Sequence, residues 1–152
     1  MFDKDLKDGE IGEHVVWNLL QKSSKVRNIV DVRQDKVFQS QDIDFFVENF
    51  DRQFTPIEVK TDFKAHETGN IVYEISTSGH LGCFEKTKAA YIYYYIPVSK
   101  IVYMIDVVAL RTYIHQLRPE EKKMGDNATG FLLPIKDLLN AKVIKYTYKN
   151  VC

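Results

Sequence analysis

At 152 residues the chain has the length of one domain with a single good core, and its apolar and charged fractions are those of an ordinary globular protein. Lysine plus arginine equals aspartate plus glutamate, 21 against 21, so no global basic charge advertises nucleic-acid binding; that would need a local basic face or a groove between copies. Cys83 and Cys152 match no metal-ligand spacing, no signal peptide is evident and no apolar run is long enough to span a bilayer. Together these predict one domain over residues 1–152, with reduced thiols, in the cytoplasm and without a membrane partner.

Residues 1–8 are charged and read as a short lead-in or a frayed end. Asp8 is placed to cap a helix from about Gly9 to Lys22, with Ile11, Val15 and Leu19 as a buried stripe at helical spacing. Glu13 lies along a neighbouring edge, from which it can approach the end of a sheet. Equally, Glu10 and Glu13 can simply favour the positive end of that helix. Ser23 and Ser24 end the helix, and residues 26–33, rich in valine and isoleucine, read as a first strand.

The stretch from Gln41 to Thr61 carries the chemistry. Residues 41–48 alternate with a period of two, Ile43, Phe45 and Val47 on one side and Asp42, Asp44, Phe46 and Glu48 on the other. After a break at 49–55, Pro56 opens a second strand, where a missing N–H is tolerated. In that strand Glu58 and Lys60 share one face, and Ile57, Val59 and Thr61 share the other. Two carboxylates on neighbouring strands can hold a divalent cation through oxygen, and the cation can lower the pKa of a bound water. An ammonium beside them can orient that water or stabilise charge on a phosphate.

Residues 62–70 form a polar loop. Residues 71–77 read as a further strand, with Tyr73 and Ile75 on one face and Val72, Glu74 and Ser76 on the other; Glu74 is either another site carboxylate or a solvated strand residue. A glycine-rich turn at 78–82 precedes a short helix over 83–89, on which Lys86 and Lys88 are candidates for phosphate contacts. Residues 91–97 and 100–107 read as a hairpin, its tyrosines suited to sheet packing more than to base stacking. Asp106 caps a helix to about Leu117, with Leu110, Ile114 and Leu117 as its apolar face. Residues 118–130 read as a charged loop, Pro134 starts a helix to about Asn140, and 143–148 is a last strand. His14, His66, His80 and His115 are scattered and form no zinc grouping, though His66 and His80 sit in loops where they can touch a substrate.

In Asp44 followed by Glu58-Val59-Lys60, the sequence resembles the PD-(D/E)XK nuclease superfamily, which includes restriction enzymes and Holliday-junction resolvases. The upstream Gly9-Glu10-Ile11-Gly12-Glu13 is similar to the family's helix with a glutamate facing the site, and residues 69–74 and 82–95 look like segments that follow the ExK motif in small phage and bacterial members. Ile43 stands where the family has its proline, and Ala90 where members often have an aspartate. The resemblance implies a restriction-endonuclease-like α/β fold, a central mixed β-sheet flanked by helices with an αβββαβ core. It implies Mg²⁺, with Mn²⁺ as substitute, held by Asp44, Glu58 and the Val59 carbonyl, with Lys60 positioning the attacking water and Glu13 holding a metal-bound water or positioning Lys60. DNA is the implied substrate, contacted by Lys86 and Lys88, and the implied assembly is a homodimer or higher homo-oligomer. The other readings are a nuclease-fold DNA-binding module without turnover and an accessory subunit whose partner supplies DNA binding.

Overall fold

The computed structural model describes residues 2–125 and 127–152. It opens with α1 (Phe2–Gln21), which begins well before the expected start at Gly9. Asp8 therefore lies inside the helix and caps nothing; Lys4, Asp5 and Lys7 ahead of it continue the helix with their side chains in solvent. The buried ridge of α1 also differs from the expected stripe. Ile11 is 48 % exposed, whereas Val15, Val16 and Leu20 are buried. Gly12, Val16 and Leu20 are spaced by four, so one ridge faces the sheet, and its first member is a glycine that carries no hydrophobic signal.

The chain continues through β1 (Val26–Asp31), a short α2 (Lys36–Gln39) capped by the Asp35 carboxylate, β2 (Phe45–Asn49) and β3 (Phe54–Thr61). The expected strand over 41–48 loses its first half. Asp42 turns the chain at φ 50, and α2 occupies part of what looked like a connector. After α3 (Ala65–Thr68) come β4 (Asn70–Thr77), β5 (His80–Leu81) and α4 (Cys83–Lys86), the last shorter than expected. The hairpin of β6 (Tyr91–Ile96) and β7 (Ile101–Asp106) is as read, and so is α5 (Val107–Leu117), whose Asp106 cap accepts from Ala109 N at 2.9 Å. Residues 118–130 do not form one open loop: β8 (Lys122–Lys123) pairs with β9 (Ala128–Pro134). Then α6 (Ile135–Asn140) begins after Pro134, which sits at the cap position, and β10 (Ile144–Lys149) ends the fold.

The strands form two sheets. The larger is mixed, in the order β1-β2-β3-β6-β7-β10, and only its β3–β6 pairing is parallel. The smaller, β5-β4-β9-β8, is antiparallel. Alternation along the large sheet sorts its side chains into two cores. Phe45, Ile57, Tyr93, Tyr95 and Val102 pack against α1. Ile92, Tyr94, Ile96 and Ile105 pack against Ile71 and Tyr73 of β4, Leu133 of β9, Leu110 of α5 and Leu138 of α6. The molecule is thus layered: α1, the large sheet, then the small sheet with α5 and α6. Among the described residues no helix is long and apolar enough to cross a membrane.

α1 approaches the large sheet closely at Gly12. A Cβ there would lie 1.8 Å from Thr61 Oγ1 and 3.5 Å from Val59 Cγ1, whereas one at Gly9 would meet nothing within 4 Å. Two alanine variants should therefore move in opposite directions. Gly9→Ala should stabilise by about 0.5–1 kcal/mol through helix propensity, and Gly12→Ala should destabilise by about 1–3 kcal/mol through overpacking. Urea denaturation followed by circular dichroism checks both; equal gains would show that the Gly12 contact is not tight.

Candidate functional site

β3 is longer than the β2 ladder that flanks it. Pairing with β2 ends at Phe45↔Ile57, while β3 continues beside β6 to Thr61↔Tyr95. One flank of residues 58–61 is thus left without a strand, and Asp44 occupies that gap. Its main chain extends the ladder irregularly, with Asp44 N donating to Ile57 O at 2.9 Å and Val32 N donating to Asp44 O at 3.0 Å. Its carboxylate Oδ2 then accepts from Val59 N at 2.7 Å, substituting for the missing strand. The N–H and C=O of one strand residue point the same way, so the Val59 carbonyl faces the same open flank.

Glu58 and Lys60 project together toward the small sheet, as the period of two requires. Glu58 is 4 % exposed, and its Oε1 lies 3.4 Å from Lys60 Nζ. Its Oε2 is buried and has no hydrogen-bond partner among the described residues. The Thr87 hydroxyl donates instead to the Asp42 carbonyl at 3.0 Å. The Lys60 side chain keeps 34 % of its surface open. Asp44, Glu58, Val59 and Lys60 all line one cleft of about 1530 Å³, and the wall opposite carries Glu74 and Cys83, with Cys83 Sγ 3.8 Å from Glu74 Oε2.

Burial pushes the Asp44 carboxyl up to about 6, against the opposing effect of the Val59 N–H and with a contribution from nearby Glu13. Burial also pushes Glu58 up to about 7, opposed by the charge of Lys60. Burial alone would depress Lys60; Cys83, Glu58 and Glu74 outweigh it and leave the ammonium raised. Cys83 is itself driven up to about 12 by burial, so it is a neutral thiol at pH 7 and the carboxylates are the charges that hold Lys60 protonated.

Glu13 reaches the cleft from α1, on the Asp44 side. It accepts from Arg33 Nη1 at 2.7 Å and makes no ion pair with Lys60 among the described residues. Arg33 is held firmly: Nε and Nη2 grip the two oxygens of Asp31 at 2.9 and 2.7 Å, and the guanidinium lies 5.3 Å from the centroid of the Phe45 ring. This cation was not singled out from sequence, because its partners come from three separate segments. Lys86 is ion-paired with Asp42 at 3.3 Å and Lys88 is exposed; neither lines the cleft. His80 lies on β5 and His66 lines a separate cavity of about 600 Å³, whereas His14, bonded to Asn18, does line the cleft. Asp62 and Tyr94 are hydrogen-bonded to each other within the same cleft, where Asp62 also accepts from Ala65 N at 2.9 Å.

The donor set suits a hard divalent cation: carboxylate oxygens, one of them buried and unpartnered, beside a main-chain carbonyl. Among the described residues no group of three or more His, Cys, Asp or Glu side chains is arranged to hold a metal. Two side-chain carboxylates with water and substrate oxygens completing the shell are within the habit of Mg²⁺. No protein family, curated protein or solved structure matches the chain.

The raised carboxyls have a consequence for stability. Their ordinary values are 3.8 and 4.5, so between those values and about 6 and 7 the folded protein binds more protons than the unfolded chain. Their contribution is fully present at low pH and is lost as pH rises through the folded values. In metal-free buffer Glu58→Gln should therefore gain stability relative to wild type between about pH 5 and about pH 8, by about 2–3 kcal/mol. Denaturant titrations across that range measure it, and a pH-independent difference would mean that Glu58 is not desolvated.

Proposed function

We propose that the protein is a metal-dependent deoxyribonuclease of restriction-endonuclease-like architecture, hydrolysing phosphodiester bonds in the cleft at the end of β3. The observation that carries this reading is the buried, unpartnered Glu58 Oε2 beside an Asp44 carboxylate anchored on Val59 N, with the Lys60 ammonium adjoining. With α2, α3, β4 and β5 as additions, the chain order α1, β1, β2, β3, α4, β6 supports it, since it is compatible with the αβββαβ plan that the resemblance implies.

Asp44, Glu58 and the Val59 carbonyl would hold Mg²⁺ or Mn²⁺. When bound, the cation supplies Lewis-acid polarisation of a phosphate oxygen and lowers the pKa of water. Lys60 Nζ lies beside Glu58 Oε1 while about a third of the side chain stays open, 34 %, which suits the ammonium to orient the attacking water and to stabilise charge on the phosphate. The Val59 N–H fixes the rotamer of Asp44, so that carboxylate needs no reorganisation. Glu13, tied to Arg33, frames the Asp44 side of the cleft and acts there rather than on Lys60.

The cleft is lined by nine carboxylates against four Lys or Arg side chains, Lys4, Arg33, Lys60 and Lys64. Arg33 and Lys60 are already paired. Such walls do not grip a polyanion unaided, so DNA affinity in the cleft depends on the cation or on another surface. This balance favours, as a second reading, a module that binds DNA without turnover or a subunit that relies on a partner.

Cleavage of supercoiled, branched and single-stranded DNA with Mg²⁺ or Mn²⁺ separates the two. In the first reading Lys60→Ala and Asp44→Ala each lose about a hundredfold or more of the wild-type rate while remaining folded. Full activity in either variant removes the mechanism. Absence of cutting on every substrate, together with no calorimetric cation binding at millimolar concentration, transfers the assignment to the second reading.

A further inference from the structure

We propose that the cavity of about 600 Å³ between α3, α6 and the β6–β7 turn binds a small organic carboxylate with an aromatic or branched apolar body. Such a site is separate from the cleft and does not depend on the nuclease reading. The cavity lies where both sheets reach an end. Pairing of β4 with β9 stops at Asn70↔Pro134, and the chain turns there into α3 through Gly69, at φ 68, and into α6 after Pro134. The β6–β7 hairpin closes at Ile96↔Ile101, and residues from both ends line the cavity. Ile135 N donates to Gly69 O at 2.9 Å, which ties the two helices together at their base.

The floor of the cavity is apolar. Ile96 lies two residues beyond Tyr94 on β6, and its neighbours Ile101 and Tyr103 on β7 share that face of the large sheet. Ile96 is buried, Ile101, Tyr103 and Ile135 are half-buried, and Leu139 is 42 % exposed, so the protein itself covers this surface only in part. Aliphatic side chains and one ring around a volume of this size are suited to a small molecule.

The polar lining selects the head group. No aspartate or glutamate lines the cavity, and His66, Thr68, Asn70, Ser99, Tyr103 and Lys136 can each donate a hydrogen bond. Lys136 is exposed and forms no ion pair among the described residues. Burial raises the Tyr103 phenol, which keeps it a donor at neutral pH. The acidic neighbours in the chain are directed elsewhere: Glu67 pairs with His66 at 3.5 Å, and Asp137 acts on Tyr113 of α5. In a chain of zero net charge this is a site of one sign, opposite to that of the cleft. Its single lysine balances one full negative charge, which fits a monocarboxylate better than a polyanion. α3 and the turn before it separate the two sites, with residues 62–64 lining the cleft and 65–66 lining the cavity.

The test is an NMR titration of protein labelled at its isoleucine methyl groups, in EDTA at pH 7, with benzoate, phenylacetate and 4-methylpentanoate as probes and the corresponding neutral amides beside them. We expect saturable shifts at Ile96, Ile101 and Ile135, with at least one acid binding about tenfold more tightly than its amide. Lys136→Gln should abolish that preference and Lys136→Arg should restore it. Leu139→Asp, a change at an exposed position, should weaken the acid more than the amide. Lys60→Ala should bind as wild type, so the site stands whether or not the cleft cuts DNA. Equal affinity for every acid and its amide overturns the proposal, as does the absence of saturable shifts with all the probes. Shifts confined to Ile43, which lines the cleft, also overturn it. So does a dimer in sedimentation whose formation shifts the same three isoleucines without any probe, since that would assign the cavity to a second copy.

Discussion

The hydrogen bond from Val59 N to the Asp44 carboxylate is the contact on which the site depends. It exists because β3 outruns its antiparallel neighbour while continuing in parallel with β6. A buried strand cannot leave a main-chain N–H without a partner, and a carboxylate is the strongest acceptor the chain can put there. One requirement of sheet formation thus places an acidic side chain beside Glu58 and Lys60. The bond that completes the ladder is the same bond that orients Asp44 in the candidate site.

Layering does the rest. The small sheet and α4 close over Glu58, which leaves the carboxylate desolvated and half satisfied, while α1 seals the other face through the close approach at Gly12. Burial of that kind costs free energy unless a proton or a cation compensates it. The site is therefore built at the expense of the sheet's stability near neutral pH, an arrangement common where a fold holds chemistry in readiness. By contrast, the buried Glu48 further along β2 is fully matched by Arg27, with Nη1 3.0 Å from Oε2, and carries no such tension.

The parts of this design that were legible in sequence are those governed by local periodicity. Alternation placed Glu58 and Lys60 on one face, and the Asp106 cap with its helix and the β6–β7 hairpin were readable from residue type alone. Asp8 misled because an acidic residue inside the first turns of a helix looks the same as one at its cap. Gly12 escaped because a contact made by the absence of a side chain leaves no apolar signal. The alternation of 41–44 ran on through what is a turn at Asp42, and no local rule announces a positive φ at an aspartate. That β4 and β9 would leave the large sheet for one of their own, and that Arg33 would bridge Asp31 and Glu13, are decided by distant partners. Periodicity carries no information about them.

A bulge between Ile144 and Tyr146 makes β10, the C-terminal strand, a phase converter. One extra residue lets the same strand feed Ile144 into one core and Tyr148 into the other, where simple alternation would have sent both to one side. The two layers of the molecule are therefore registered against each other through the length of residues 144–146. Substitutions within this segment alter one surface at a time. Loss or gain of a single residue there would exchange inside for outside along the whole remaining strand, so the segment should tolerate changes of identity far better than changes of length.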